Sequence, residues 1–262
     1  MFAGRQKRAL LLFLQVVTWT IPSFGAPQRA LAQADASESY FAPSRPTLVI
    51  GFTGGFIHSD DLRHSERQLA QHLEHSYGDR VTVAMFENRQ LLQAHKMVLD
   101  WLDKLHPIGL LHVREQPRII LYGHSWGASA VVCLARDLDQ DHVPVSLTVQ
   151  VDSIRKHRED DSVIPANVAE AINFYQPGGI LHGQANITAA DSSHTRILGN
   201  YRFSYRHEPA ACHAYPWRTR IFFKGHTAIE CDPHVWYQIE TLIEDRLADD
   251  GFPAETEVAQ TK

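Results

Sequence analysis

Residues Arg118 to Gly127 read Arg-Ile-Ile-Leu-Tyr-Gly-His-Ser-Trp-Gly, an apolar run that passes without a spacer into Gly-x-Ser-x-Gly. A strand that turns at once into a helix must bend within a few residues, and glycine at 123 and 127 removes the side chains that would collide in so tight a bend. Ser125 then sits at the apex in a strained backbone conformation that exposes its hydroxyl, the stance of a nucleophile. From residue usage alone the bare pattern turns up in about one chain in ten of this length, so its surroundings carry the reading. The β-forming run Ile119 to Tyr122 stands before it. Behind it come Ala128, Ala130, Val131, Val132 and Leu134, small and apolar residues suited to a helix packed closely on a sheet.

Strand and helix signals alternate on both sides of this turn, which predicts an α/β fold with a mainly parallel sheet and helices on both faces. Thr47 to Gly51, Val81 to Phe86 and Val145 to Val151 read as strands. Asp60 to Tyr77 reads as a helix with Leu62, Leu69, Leu73 and Tyr77 along one side and Gly78 as its stop. Gln90 to Leu105 repeats Leu91, His95, Val98, Leu102 and Leu105 at helical spacing, and Pro107 ends it. Pro165 to Ile172 predicts a helix with proline at its first position, Arg220 to Phe223 a last strand, and Asp232-Pro233 the start of a final helix. Asn173 to Trp217 shows no clear period.

The ends differ in character. Arg5, Lys7 and Arg8 precede an apolar run from Ala9 to Ile21, and Ala30-Leu31-Ala32 offers a cleavage site, so residues 1–32 read as a secretory signal peptide. The apolar run is short for a membrane span, so the mature form is expected to have none and to be secreted or periplasmic. Residues 33–46 form a polar lead-in, 47–247 one domain, and 248–262 an acidic tail. The net charge of −5 offers no basic face for nucleic acid.

The Gly123 to Gly127 turn, the loop Gly51-Phe52-Thr53-Gly54-Gly55-Phe56 and the chain order of Ser125, an acid and a histidine resemble the α/β-hydrolase superfamily, in its lipase and esterase branch, over Thr47 to Leu247. The resemblance implies a compact α/β-hydrolase fold and a base between the last strand and last helix, which selects His226 over His234 and His213. It implies an acid at the end of a strand between Ser125 and His226. Asp152 meets that rule directly and Asp191 is the alternative, while Asp160 and Asp161 read as a solvated charge pair. It also implies an oxyanion hole built from backbone N–H groups of Trp126 and of Phe52 or Thr53, with Ile50 standing where relatives carry histidine. Phe52, Phe56, Trp126 and Trp217 are candidate linings of an acyl pocket.

These residues predict a serine hydrolase, a carboxylesterase or lipase acting on small-molecule or lipid esters. An amidase, peptidase, thioesterase or acyltransferase would use the same groups, and a binding protein on a hydrolase scaffold is the rival of another class. No cofactor is expected. His64, His72 and His75 crowd one predicted helix, but their spacing is no zinc motif and no metal is expected from it. Of three cysteines, Cys212 and Cys231 are candidates for a disulfide and Cys133 for a buried thiol.

Overall fold

Every residue of β1 (Thr47–Thr53) and of β3 (Arg118–His124) is buried, as befits central strands of a parallel sheet covered on both faces. They belong to a computed structural model that describes residues 45–105, 116–156, 160–206 and 212–248. All of these fall within the unit Tyr40–Lys262. The proposed signal peptide, nearly all of the lead-in and all but the first residue of the tail lie outside the described residues.

Four further strands, β2 (Val81–Glu87), β4 (Val145–Val151), β6 (Val168–Tyr175) and β8 (Arg196–Arg202), complete a six-stranded sheet in the order β2-β1-β3-β4-β6-β8. Each pairing in it is parallel. Two-residue strands β5 (Val163–Ile164) and β7 (Thr188–Ala189) pair separately. Alternation along each strand sends side chains to opposite faces. Leu48, Ile50, Ile119 and Leu121 meet Ala94 and Val98 of α2 (Leu91–Leu105) and the apolar side of α3 (Trp126–Gln140). Val49, Ile120, Leu147 and Val149 meet Leu69 and Leu73 of α1 (Ser65–Tyr77) and Ile239 and Ile243 of α6 (Pro233–Ala248). The α/β architecture with helices on both faces is thus the one the alternating signals predict. Among the described residues, no helix is long and apolar enough to cross a membrane.

Three expectations are corrected. Pro165 to Ile172, read as a helix, contributes to β6, which runs between β4 and β8; sheet pairing and burial of Ala171, Ile172 and Phe174 override the helix-forming Ala and Glu. Arg220 to Phe223, read as the last strand, lies largely in a short helix, α4 (Trp217–Phe222), led by Pro216. A four-residue apolar run fits either period. The last strand is β8, inside the stretch that shows no period, and its exposed edge position explains the weak pattern. The Cys212–Cys231 disulfide is present, and Cys133 is buried without one.

Leu121→Ala, which empties a fully buried position, is expected to cost about 2–5 kcal/mol in urea unfolding. Leu92→Ala, at a side chain 77 % exposed on α2, should stay within about 0.5 kcal/mol of the parent.

Candidate active site

The bend between β3 and α3 is closed by backbone contact. A Cβ at Gly127 would lie 2.3 Å from the carbonyl oxygen of Phe52, and one at Gly123 would lie 2.6 Å from the carbonyl carbon of Gly127. Only glycine lets the start of α3 rest on the end of β1. Between them Ser125 takes φ 58° and ψ −123°, a region that costs a residue with a side chain roughly 1–3 kcal/mol. Its N–H donates to the carbonyl of Val151 (2.9 Å), which ties the bend to the end of β4.

Asp152 follows β4 directly, also at positive φ (44°). Its N–H donates to the carbonyl of Phe174 on β6 (2.7 Å). Its Oδ1 accepts from the backbone N–H of Gln176 (3.1 Å) and Gly183 (2.8 Å), and its Oδ2 accepts from Nε2 of Gln176 (2.9 Å). His226 projects from α5 (Lys224–Glu230) rather than from a loop as the sequence suggests. In chain order it still falls after the last strand and before the last helix.

His226 joins the other two side chains: Nδ1 is 2.7 Å from Oδ2 of Asp152 and Nε2 is 2.8 Å from Oγ of Ser125. Burial pushes the Asp152 carboxyl up, but the bond and charge of His226 and the two donors of Gln176 outweigh it, and the group ends below the usual carboxylate range. Burial pushes His226 down. The adjacent His124 charge adds to this while Asp152 opposes it, and the imidazole stays below its ordinary value of 6.5. A neutral imidazole is therefore poised to accept a proton from Ser125.

Asp191 instead accepts from Ser193 and pairs with His194 in an exposed turn, and His213 and His234 are exposed. Asp160 and Asp161 are not a solvated pair, because Asp161 is buried and accepts from Oγ of Ser153 (2.6 Å).

The glycine-rich loop after β1 sits against the bend. A Cβ at Gly54 would lie 2.9 Å from the carbonyl oxygen of His124 and 3.0 Å from Cβ of Ser125. Asn88 braces this loop, donating from Nδ2 to the carbonyls of Thr53 (3.2 Å) and Gly55 (2.6 Å). Lys156 donates to Oδ1 of Asn88 (2.6 Å) and lies over the Trp126 ring. Asn88 thus supplies a support that Ile50 cannot give.

Ser125 and His226 open onto a cavity of about 600 Å³, lined largely by apolar groups that include Phe56, Trp126, Ile154, Leu181, Pro216 and Phe223. Of the four aromatic side chains named from sequence, Phe56 and Trp126 line it. The Phe52 side chain is buried in the core against Phe86, and Trp217 is 60 % exposed and outside the lining.

The fold is α/β, a six-stranded parallel sheet with helices on both faces. No protein-family model and no curated sequence matches the chain. Among solved structures, a cutinase-like protein from Cryptococcus sp. is 12 % identical, with TM-score 0.41 over 79 % of this chain and 97 % of its own. The RedJ thioesterase of prodiginine biosynthesis in Streptomyces coelicolor is 11 % identical, with TM-score 0.36 over 75 % of this chain and 86 % of its own.

Sequence reasoning did not single out Gln176, Gly183 or Asn88. Gln176 and Gly183 are brought to Asp152 by loop paths that carry no periodic signal. Glu66 was legible in principle, because it falls on the α1 stripe with Leu69 and Leu73, where a carboxylate is out of place.

Gly127→Ala forces the Phe52 carbonyl and the bend apart, so activity should fall by about 100-fold or more while near-native secondary structure remains by circular dichroism. Since His226 must be neutral to act and loses that state as pH falls through its lowered pKa, the acid limb of kcat/KM should have its midpoint below pH 6.5. Asp152 on one side and His124, backed by Glu66, on the other are the charged groups facing the ring.

Proposed function

We propose that this protein is an exported serine hydrolase that cleaves carboxylic esters through an acyl-enzyme. The observation that carries this reading is the hydrogen-bonded chain from Asp152 through His226 to Ser125, at the mouth of an apolar cavity. Oγ of Ser125 attacks the ester carbonyl as Nε2 of His226 takes its proton. The alcohol leaves with that proton, and a water deprotonated by the same nitrogen releases the acid. Asp152 holds the imidazole in the tautomer with the proton on Nδ1 and stabilises its charged form.

The developing oxyanion is assigned to the backbone N–H groups of Phe52 and Trp126. Trp126 is the first residue of α3, where an N–H has no partner within its own helix. The glycine contacts at 54 and 127 keep the end of β1 and the start of α3 together at this point. The apolar lining suits an acyl chain or an aryl group. The Cys212–Cys231 disulfide supports an oxidising compartment, consistent with export directed by residues 1–32.

Mature protein from Gln33 onward, assayed on aryl esters of increasing acyl length, should turn over esters and be labelled by a fluorophosphonate. Ser125→Ala should lower kcat by about 10⁴-fold or more and abolish labelling. Labelling without ester turnover would move the assignment to another acyl substrate, and folded wild-type protein that resists labelling would refute a serine nucleophile.

A further inference from the structure

Beyond His124, whose ring lies against that of His226, is a buried group of charges for which the hydrolase reading has no use. Glu66, in the first turn of α1, and Glu230, the last residue of α5, are each fully buried, and His64 at the N-cap of α1 is 3 % exposed. One ligand atom from each of the three, a ring nitrogen and two carboxylate oxygens, lies within 4.8 Å of the other two. We infer that His64, Glu66 and Glu230 form a binding site for one divalent metal ion of the zinc type.

Among the described residues, neither oxygen of Glu66 has a hydrogen-bond partner. The facing imidazole, His124, forms an ion pair with it at 3.5 Å, and among the described residues neither nitrogen of that buried ring is hydrogen-bonded. An ionised carboxylate held in a dry interior with no close hydrogen bond, its ion pair to His124 being 3.5 Å long, is costly, and here a second carboxylate stands in the same space. One divalent cation cancels both charges, and with a neutral imidazole as third donor the complex has no net charge. Nitrogen with carboxylate oxygen is a donor set for zinc, whereas calcium and magnesium take more oxygens and usually retain water. Bonds of about 2.0–2.2 Å require donors roughly 3.5 Å apart, and the three donor atoms stand within 4.8 Å of one another.

The surroundings fix these donors as a metal site requires. Oε1 of Glu230 already accepts from the Ser65 N–H (3.2 Å) and faces Nδ1 of His64 (3.1 Å), the contact an ion would replace. Glu230 is next to Cys231, whose disulfide anchors the end of α5. The hydroxyl of Tyr122 donates to the backbone carbonyl of Glu66 (2.9 Å), and the ring of Tyr215 packs edge-on against His64. His64 also borders the 600 Å³ cavity, which gives an ion a route inward. No local motif encodes the site, because His64 and Glu230 stand 166 residues apart. Of the histidines crowded on the predicted helix, only His64 takes part.

Untagged mature protein, dialysed against metal-free buffer, should retain about one zinc per chain by plasma mass spectrometry. Removing it with dipicolinate should lower the melting temperature by several degrees, and stoichiometric zinc should restore it. Glu66→Gln should reduce retention to less than about a tenth of an ion per chain. His72→Ala should leave it unchanged, although it removes a member of the exposed group His72, Glu240 and Glu244. Should Glu66→Gln fail to fold, anomalous diffraction at the zinc edge from wild-type crystals locates the ion directly, and density between Glu66 and Glu230 is the expected result. Wild-type protein that holds no zinc and whose melting temperature ignores both chelator and zinc would overturn the inference, leaving a proton on His64, beside that on His124, as the compensating charge. Zinc retained by folded Glu66→Gln, or found only at the surface group, would overturn it as well. None of these readouts depends on esterase activity.

Discussion

The candidate active site depends on a contact between two pieces of backbone. The start of α3 lies on the end of β1 so closely that any side chain at Gly127 would enter the carbonyl of Phe52. This contact forces the chain to reverse within the five residues Gly123 to Gly127 and holds Ser125 at positive φ, with its N–H bonded to β4. It also brings together the end of β1, where Phe52 lies, and the first N–H of α3, the two groups proposed to meet an oxyanion. The cost of the strained serine is borne by the packed sheet beneath it, where β1 and β3 are buried along their whole length.

From that fixed point the geometry follows by sheet register. β4 is the neighbour of β3, so the residue that ends β4, Asp152, emerges beside the bend. β6 and its following loop supply Gln176 and Gly183 to orient the carboxylate. His226 arrives from 101 residues beyond Ser125 and bridges the two. Its ring has Asp152 at one edge and His124 at one face, with ring centroids 4.6 Å apart. The imidazole is therefore held between a group that favours its charge and one that opposes it, and burial tips the balance toward the neutral form.

The parts of this arrangement that are local in sequence could be read there. The bend announces itself because the glycine requirement and the serine fall within five residues, and β1, β3 and β4 announce themselves because burial on one or both faces leaves apolar or alternating patterns. Asp152 was legible as the residue after a clear strand, and His226 by its place before the final helix. What could not be read depends on tertiary pairing. The sequence Pro165 to Ile172 favours a helix until β4 and β8 flank it, and β8 lies at an edge where polar residues mask its period. Phe52 was assigned both a backbone and a side-chain role from sequence. The pleat directs its ring into the core against Phe86, which leaves only the backbone role open. The pairing of Glu66 with Glu230 required helices from opposite ends of the domain to meet.

If Ser125 and His226 act as one unit, a double-mutant cycle reads the coupling between them. kcat on a single aryl ester is to be compared for wild type, Ser125→Ala, His226→Ala and the double variant. Removal of either member of a nucleophile and its base disables both, so the double variant should be no slower than the slower single variant. Losses that multiply, or a His226→Ala variant that keeps wild-type kcat, would contradict the account.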